Sequence, residues 1–218
     1  NRVAWNGNLW VAVGTGNNTI CYSTDGIIWT GATDSSGAVG STKKIFSEYG
    51  NGIAWNGRIW VAVGEGDNSI AYSKDGITWT GLGKTVFQTI PNNGGSGGSS
   101  VAWNGSMWVA GGQGTLGTNK FAYSYDGINW VGLGTTVFPN GCSSICWNGT
   151  RFVGAGGNYV GYSKDGITWY SSRALSTSVN YVVSNPGIGA FAPPSAMVLN
   201  NNSLTGNGIS RSQTLEFV

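Results

Sequence analysis

YSKDGITW at residues 72–79 returns unchanged at 162–169, and YSTDGIIW (22–29) and YSYDGINW (123–130) are near copies. Four copies of one octamer are either a site used four times or a turn built four times. The residue types favour the turn. Asp25, Asp75, Asp126 and Asp165 can each accept hydrogen bonds from backbone N–H groups of their own loop. Gly26, Gly76, Gly127 and Gly166 can take a positive φ. Ser23, Ser73, Ser124 and Ser163 can bond across the same loop, and Trp29, Trp79, Trp130 and Trp169 can pack beneath it. The opposing reading is four identical calcium or sugar sites. Calcium wants about six to eight oxygen ligands, and one Asp plus one Ser supply few of them. The octamers therefore read as buried structural corners.

Working outward, each octamer is preceded by a second repeated phrase: VAWNGNLWVAVG (3–14), IAWNGRIWVAVG (53–64), VAWNGSMWVAGG (101–112) and ICWNGTRFVGAG (145–156). The leading tryptophans, Trp5, Trp55, Trp103 and Trp147, lie 50, 48 and 44 residues apart. V-A-W is a short β run, Asn-Gly a hairpin signal, and Trp-Val-Ala-Val a second strand. Residues 68–73 make a third strand, and a fourth follows the Asp-Gly turn. Four short antiparallel strands in roughly 45 residues match the size of a propeller blade. No stretch carries a useful helical period. The strands are apolar on both faces, with large residues expected on one side and Ala or Gly on the other, as suits stacked sheets. A β-solenoid is the alternative, though its repeats are usually shorter.

The expected fold is thus all-β: a β-propeller with four recognisable four-stranded blades at roughly 1–50, 51–99, 100–142 and 143–172. Residues 173–218 form a C-terminal clasp or the start of a further β module, with strand-like pieces at Ala196–Leu199 and Thr214–Val218. The chain opens at Asn1 inside a repeat-like phrase, as a fragment or a processed product would.

Composition narrows the function. There are 11 basic and 9 acidic residues and no histidine, for a net charge of +2. That gives no electrostatic footprint for nucleic acid, and no apolar run is long enough to insert in a membrane. The commonest general base and metal ligand is missing. Cys21 and Cys146 stand where other copies have Ala or Gly, and so read as small apolar residues. With Cys142 they make neither a disulfide framework nor a zinc set. No cofactor is implied. Three tryptophan columns over four copies, with Phe152 in one place, account for all 11 tryptophans. None is left over for a dedicated ligand.

Function should lie in what the copies do not share. The acids outside the octamers are Asp34, Glu48, Glu65, Asp67 and Glu216; Glu65 and Asp67 share one E-G-D loop, too close to flank a sugar as a glycosidase pair does. The arginines, Arg2, Arg58, Arg151, Arg173 and Arg211, follow no common pattern, and Arg58 reads as a solvated turn residue. The linking segments 31–51, 81–99, 113–119 and 132–143 are rich in Gly, Ser, Thr and Asn, as in NNGGSGGSS (92–100). They read as flexible connections or as a neutral hydrogen-bonding surface for sugar or protein. Asn17, Asn104, Asn148 and Asn201 match the N-glycosylation pattern, and the repeated Asn-Gly turn explains two of them.

S-x-D-G-x-x-W resembles the Asp-box, S-x-D-x-G-x-x-W, of bacterial neuraminidase repeat β-propellers, and is one residue shorter between Asp and Gly. In that family the box is a turn between the third and fourth strands of a blade, away from the catalytic face. A sialidase of that superfamily would need an arginine triad, a tyrosine nucleophile with its glutamate, and an aspartate acid/base, which this inventory does not set out. The longer phrase, VAWNG–WVAVG–SIAYSKDGITWTGLG, is similar to uncharacterised repeat proteins of large DNA viruses. That resemblance implies a place in the virion or host-cell cytoplasm, with extracellular exposure open. The expectation is a non-catalytic scaffold, a virion-associated structural or host-attachment module whose partner is a capsid or other virion protein, or a surface glycan. The alternatives are a glycan-binding lectin using the inter-blade loops and, behind it, a degenerate sialidase.

Overall fold

The computed structural model describes residues 1–35, 44–88, 97–113, 119–173, 177–184 and 196–199. The chain is all-β and is built from successive antiparallel sheets. The first sheet holds β1 (Arg2–Trp5), β2 (Trp10–Val13), β3 (Ile20–Ser23) and β4 (Thr30–Gly31), paired in chain order. The second holds β6 (Tyr49–Trp55), β7 (Trp60–Glu65), β8 (Ile70–Ser73) and β9 (Thr78–Gly81). Its outer edge is extended by β5 (Thr33–Asp34), which pairs in parallel with β9, Thr33 opposite Thr78. The third holds β10 (Gly97–Trp103), β11 (Trp108–Gln113), β12 (Phe121–Ser124) and β13 (Val131–Gly132). The fourth holds β14 (Ser144–Trp147), β15 (Phe152–Gly156), β16 (Tyr159–Ser163) and β17 (Tyr170–Arg173). A fifth pairs β18 (Tyr181–Ser184) with β19 (Ala196–Leu199). Among the described residues no helix is long and apolar enough to cross a membrane.

Pairing within each sheet follows from the repeat. Trp5 faces Trp10, Trp55 faces Trp60, Trp103 faces Trp108 and Trp147 faces Phe152 across the first hairpin. Their rings lie 4.8–5.0 Å apart, within the range of favourable aromatic pairs. The Asn side chain of each Asn-Gly turn caps the hairpin: Asn56 Oδ1 accepts from the backbone N–H of Arg58 at 2.9 Å and of Ile59 at 2.7 Å.

The faces differ from the expected split. Trp60, Ala62, Ala71 and Trp79 share one face of the second sheet, so large and small residues lie together there. The other face carries Val61, Val63 and Ile70. Sheets stack so that the branched aliphatic face of one meets the Trp/Ala face of the next. Leu9, Val11, Val13 and Ile20 cover the second sheet's tryptophans; Val61, Val63 and Ile70 cover Trp108, Ala110 and Ala122. Met107, Val109 and Phe121 cover Phe152 and Trp169, and Val179 and Val182 close over Val153 and Val160.

The linking segments are not mere connections. Phe46, Phe87 and Phe138 are fully buried, each filling a sheet–sheet junction. Asn68 and Asn119 tie these segments down. Asn119 Nδ2 donates to Val86 O at 2.8 Å while its Oδ1 accepts from Gly134 N at 2.9 Å. The end of NNGGSGGSS is strand β10, where a Cβ on Gly98 would lie 2.6 Å from Ser69 O. Glycine is there because backbones approach closely. Strands β6 and β10 open at Tyr49 and Gly97, slightly before the expected boundaries, and Ala196–Leu199 is a strand as expected. Thr214–Val218 and the segments 36–43, 89–96 and 114–118 lie outside the described residues.

Candidate functional site

All four octamers form the same turn between the third and fourth strands of their sheets. Ser23, Ser73, Ser124 and Ser163 each donate a hydroxyl to the aspartate Oδ1 two residues on, at 2.9–3.0 Å. The same hydroxyls accept from Gly26, Gly76, Gly127 and Gly166 N–H at 2.8–2.9 Å. Asp25 Oδ1 accepts further from Ile27 and Ile28, Asp75 from Ile77 and Thr78, Asp126 from Ile128 and Asn129, and Asp165 from Ile167 and Thr168. The glycines hold φ between 74° and 79°. Each closing tryptophan, Trp29, Trp79, Trp130 or Trp169, donates its indole N–H to the turn glycine's carbonyl at 3.0–3.2 Å.

Two expectations need correction. The serines are buried, but the aspartates are exposed. The tryptophans are not equally covered: Trp79 and Trp169 are buried, Trp130 is half-buried, and Trp29 is 40% exposed. Trp5 is 42% exposed, for the same reason: no described sheet lies on the first sheet's tryptophan face.

The donors around each aspartate hold its carboxyl below the ordinary value. For Asp25 the leading cause is the Ile28 N–H, followed by Ile27 and the Ser23 hydroxyl. For Asp75, Asp126 and Asp165 desolvation pushes the other way and is outweighed by the turn's donors. Asp126, with the Asn129 side chain added at 2.7 Å, falls to about 2. A carboxyl lowered on folding stabilises above its unfolded value and loses that contribution as pH falls through the folded value. The urea midpoint is therefore expected to stay level between about pH 5 and pH 8 and to drop between about pH 4 and pH 2, where the free carboxyl and the folded one part company. A midpoint insensitive to pH over that interval would remove the carboxylates from the turn's energetics.

Cys142 and Cys146 sit in the core, and Cys21 is half-buried. Burial pushes the Cys142 thiol up, and Cys146 up to about 12. Neither is a ready nucleophile.

Two concavities are lined by described residues. The first, of about 240 Å³, lies where the opening ends of the first strands converge, lined by Arg2, Asn51, Glu65, Gly98, Gln113 and Ser143 among others. Its polar groups are largely committed to one another. Asn51 Nδ2 donates to Glu65 Oε1 at 2.9 Å and to Gly98 O at 3.1 Å, and Gln113 Nε2 to Ser143 Oγ at 2.7 Å. The Arg2 guanidinium lies 4.1 Å from the Tyr181 ring centre. Glu65 thus belongs to this cavity, whereas Asp67 meets Lys84 at 3.9 Å on the surface. The second concavity, of about 300 Å³, lies between the second and third sheets and is lined by Asn56, Arg58, Ile59, Trp103, Tyr125 and Asp126. Arg58 is exposed, in keeping with a solvated turn residue, and its convergence with Tyr125 is not visible along the sequence. Arg2, Arg58 and Arg151 do not gather: Arg2 lines one concavity, Arg58 the other, and Arg151 lies 5.1 Å from the Tyr162 ring centre.

No family model matches the chain, and no curated protein matches it. Among solved structures the chain is similar to the computationally designed Ika8 protein, with a TM-score of 0.58 and 11% sequence identity. The match covers 90% of this chain and 54% of that one, so the chain spans about half the length of the designed structure. At that identity the likeness speaks for the all-β fold alone. The Asp-box and viral-repeat resemblances rest on the motifs themselves.

Proposed function

We propose that the chain is a β-propeller acting as a non-catalytic scaffold, a structural or attachment module of a viral particle. The observation that carries this reading is the internal use of the octamer's polar groups. Serine hydroxyl, aspartate Oδ1, glycine N–H and indole N–H are all spent within their own turns. A residue whose hydrogen bonds are spent on its own loop builds shape rather than chemistry. The propeller arrangement is supported by sheets that stack face to face in chain order, and by Arg2 of β1 reaching Tyr181 of β18. These put the first and last sheets within one side chain's reach. The place in a particle is supported by the resemblance of the repeated phrase to viral repeat proteins.

The purified protein is expected to leave a fluorogenic sialoside uncleaved, and to be found in purified particles of the virus that encodes it. Cleavage above a blank would overturn the non-catalytic reading. Particles consistently lacking the protein would overturn the virion reading.

A further inference from the structure

We infer that the junction between the second and third sheets is a binding site for a neutral pyranose sugar. This deepens the attachment reading and rests on it for its biological use; the pocket itself needs no closed ring. The repeat brings the Asn-Gly turn of one sheet beside the octamer turn of the next. The third octamer position is Thr24, Lys74, Tyr125 and Lys164 in the four copies, and the position after Asn-Gly is Asn8, Arg58, Ser106 and Thr150. The most divergent member of each set, Tyr125 and Arg58, meet at one junction around a cavity of about 300 Å³. That volume is at the lower end of small-ligand pockets, which run from about 300 to 1,000 Å³.

The lining has the chemistry of sugar recognition. Two aromatic residues, Trp103 and Tyr125, line it, and an aromatic face suits the C–H face of a pyranose. Trp103 is held by its pairing with Trp108 at 5.0 Å, and Tyr125 is 65% exposed. Polar groups then fix the hydroxyls. Asn56 spends its Oδ1 on its own turn, and its amide N–H2 has no partner among the described residues. The Arg58 guanidinium makes no ion pair among the described residues. Asp126 uses Oδ1 on the turn and keeps acceptor capacity on Oδ2 beside Asn129. The site thus offers two donors and one carboxylate acceptor. One positive and one negative group balance, so the lining has no net charge to favour a uronate, a sialate or an amino sugar over a neutral ligand.

The test uses the full chain and tryptophan fluorescence, titrated with methyl glycosides of neutral hexoses and N-acetylhexosamines, with methyl glucuronide as the charged arm. Saturable binding of a neutral glycoside is expected with Kd on the order of 1 mM. The variants Arg58→Ser and Tyr125→Lys install residues that other copies carry at the same positions, so the turns keep sequences the fold already uses. Each is expected to weaken binding by about tenfold or more, the loss of one charge-assisted hydrogen bond or one stacking face. No saturation by any neutral glycoside, tighter binding of the glucuronide, or unchanged affinity in the double variant would each overturn the inference. Such a failure would leave the scaffold reading to be judged by the particle and sialoside measurements, which do not involve this pocket.

Discussion

Replacing Phe87 with alanine is expected to lower the unfolding free energy by about 3–5 kcal/mol, the range for a fully buried phenylalanine. The ring belongs to a linking segment, yet it is fully buried in the junction formed by Val61, Val63, Ile70, Trp108 and Ala110. Beneath it lies Gly112, where an added Cβ would overlap the ring. Gly112→Ala alone is therefore expected to cost about 1–3 kcal/mol as overpacking. The two changes should not add. With the ring gone the new methyl has room, so the double variant should lose less than the sum of the two. A urea-unfolding double-mutant cycle measures this directly. Strict additivity would show that ring and glycine do not share a contact. Phe46 meets Gly64 in a similar way, but there the Tyr49 carbonyl oxygen also blocks a Cβ, and Phe138 lies beside Gly161 on the third strand of its sheet, next to the Tyr170 carbonyl oxygen.

How much of this was legible depended on whether the signal lay along one copy or between copies. The octamer turn was legible because Ser73, Asp75, Gly76 and Trp79 act on one another within a single loop. The strands were legible because Asn-Gly and Asp-Gly turns punctuate short β runs. Phe46, Phe87 and Phe138 were not, because each acts on the sheet after or beside its own segment; Phe87 and Phe138 close a recurring phrase, TGLGKTVF (80–87) and VGLGTTVF (131–138), but nothing along it says that the ring is buried. Gly64, Gly112 and Gly161 looked like generic small residues, although an added Cβ at each would meet one of these rings. The edge strand Thr33–Asp34 carries no strand signal of its own; it pairs because the chain leaves the first sheet along the second sheet's border. The Arg58–Tyr125 pocket was hidden for the same reason. Comparing copies aligns Arg58 with Asn8 and Tyr125 with Lys74, whereas the fold sets one copy's turn against the next copy's octamer.

That diagonal relation gives the second large effect. Gly127→Ala is expected to cost about 2–5 kcal/mol. Part is backbone strain, about 1–3 kcal/mol for a non-glycine residue at its φ of 76°. The rest is crowding. A Cβ there would lie 2.7 Å from Ile59 Cδ1, 2.9 Å from Val61 Cγ2 and 3.1 Å from the Trp108 indole nitrogen. Two of those three atoms belong to the preceding sheet. Gly26 has nearly the same φ, 74°, but the nearest atom to its Cβ is the Trp10 nitrogen at 3.5 Å, an ordinary contact. Gly26→Ala should therefore cost the strain alone, about 1–3 kcal/mol, and less than its counterpart. The difference between the two, read from urea midpoints and slopes, isolates what a covering sheet adds to the turn. It also reports on the first sheet's tryptophan face, where Val3 is 54% exposed. If that face is open in solution, Gly26 tolerates the methyl better than Gly127 does. If the two substitutions cost the same, something with the shape of a preceding sheet lies over Trp5, Trp10 and Trp29.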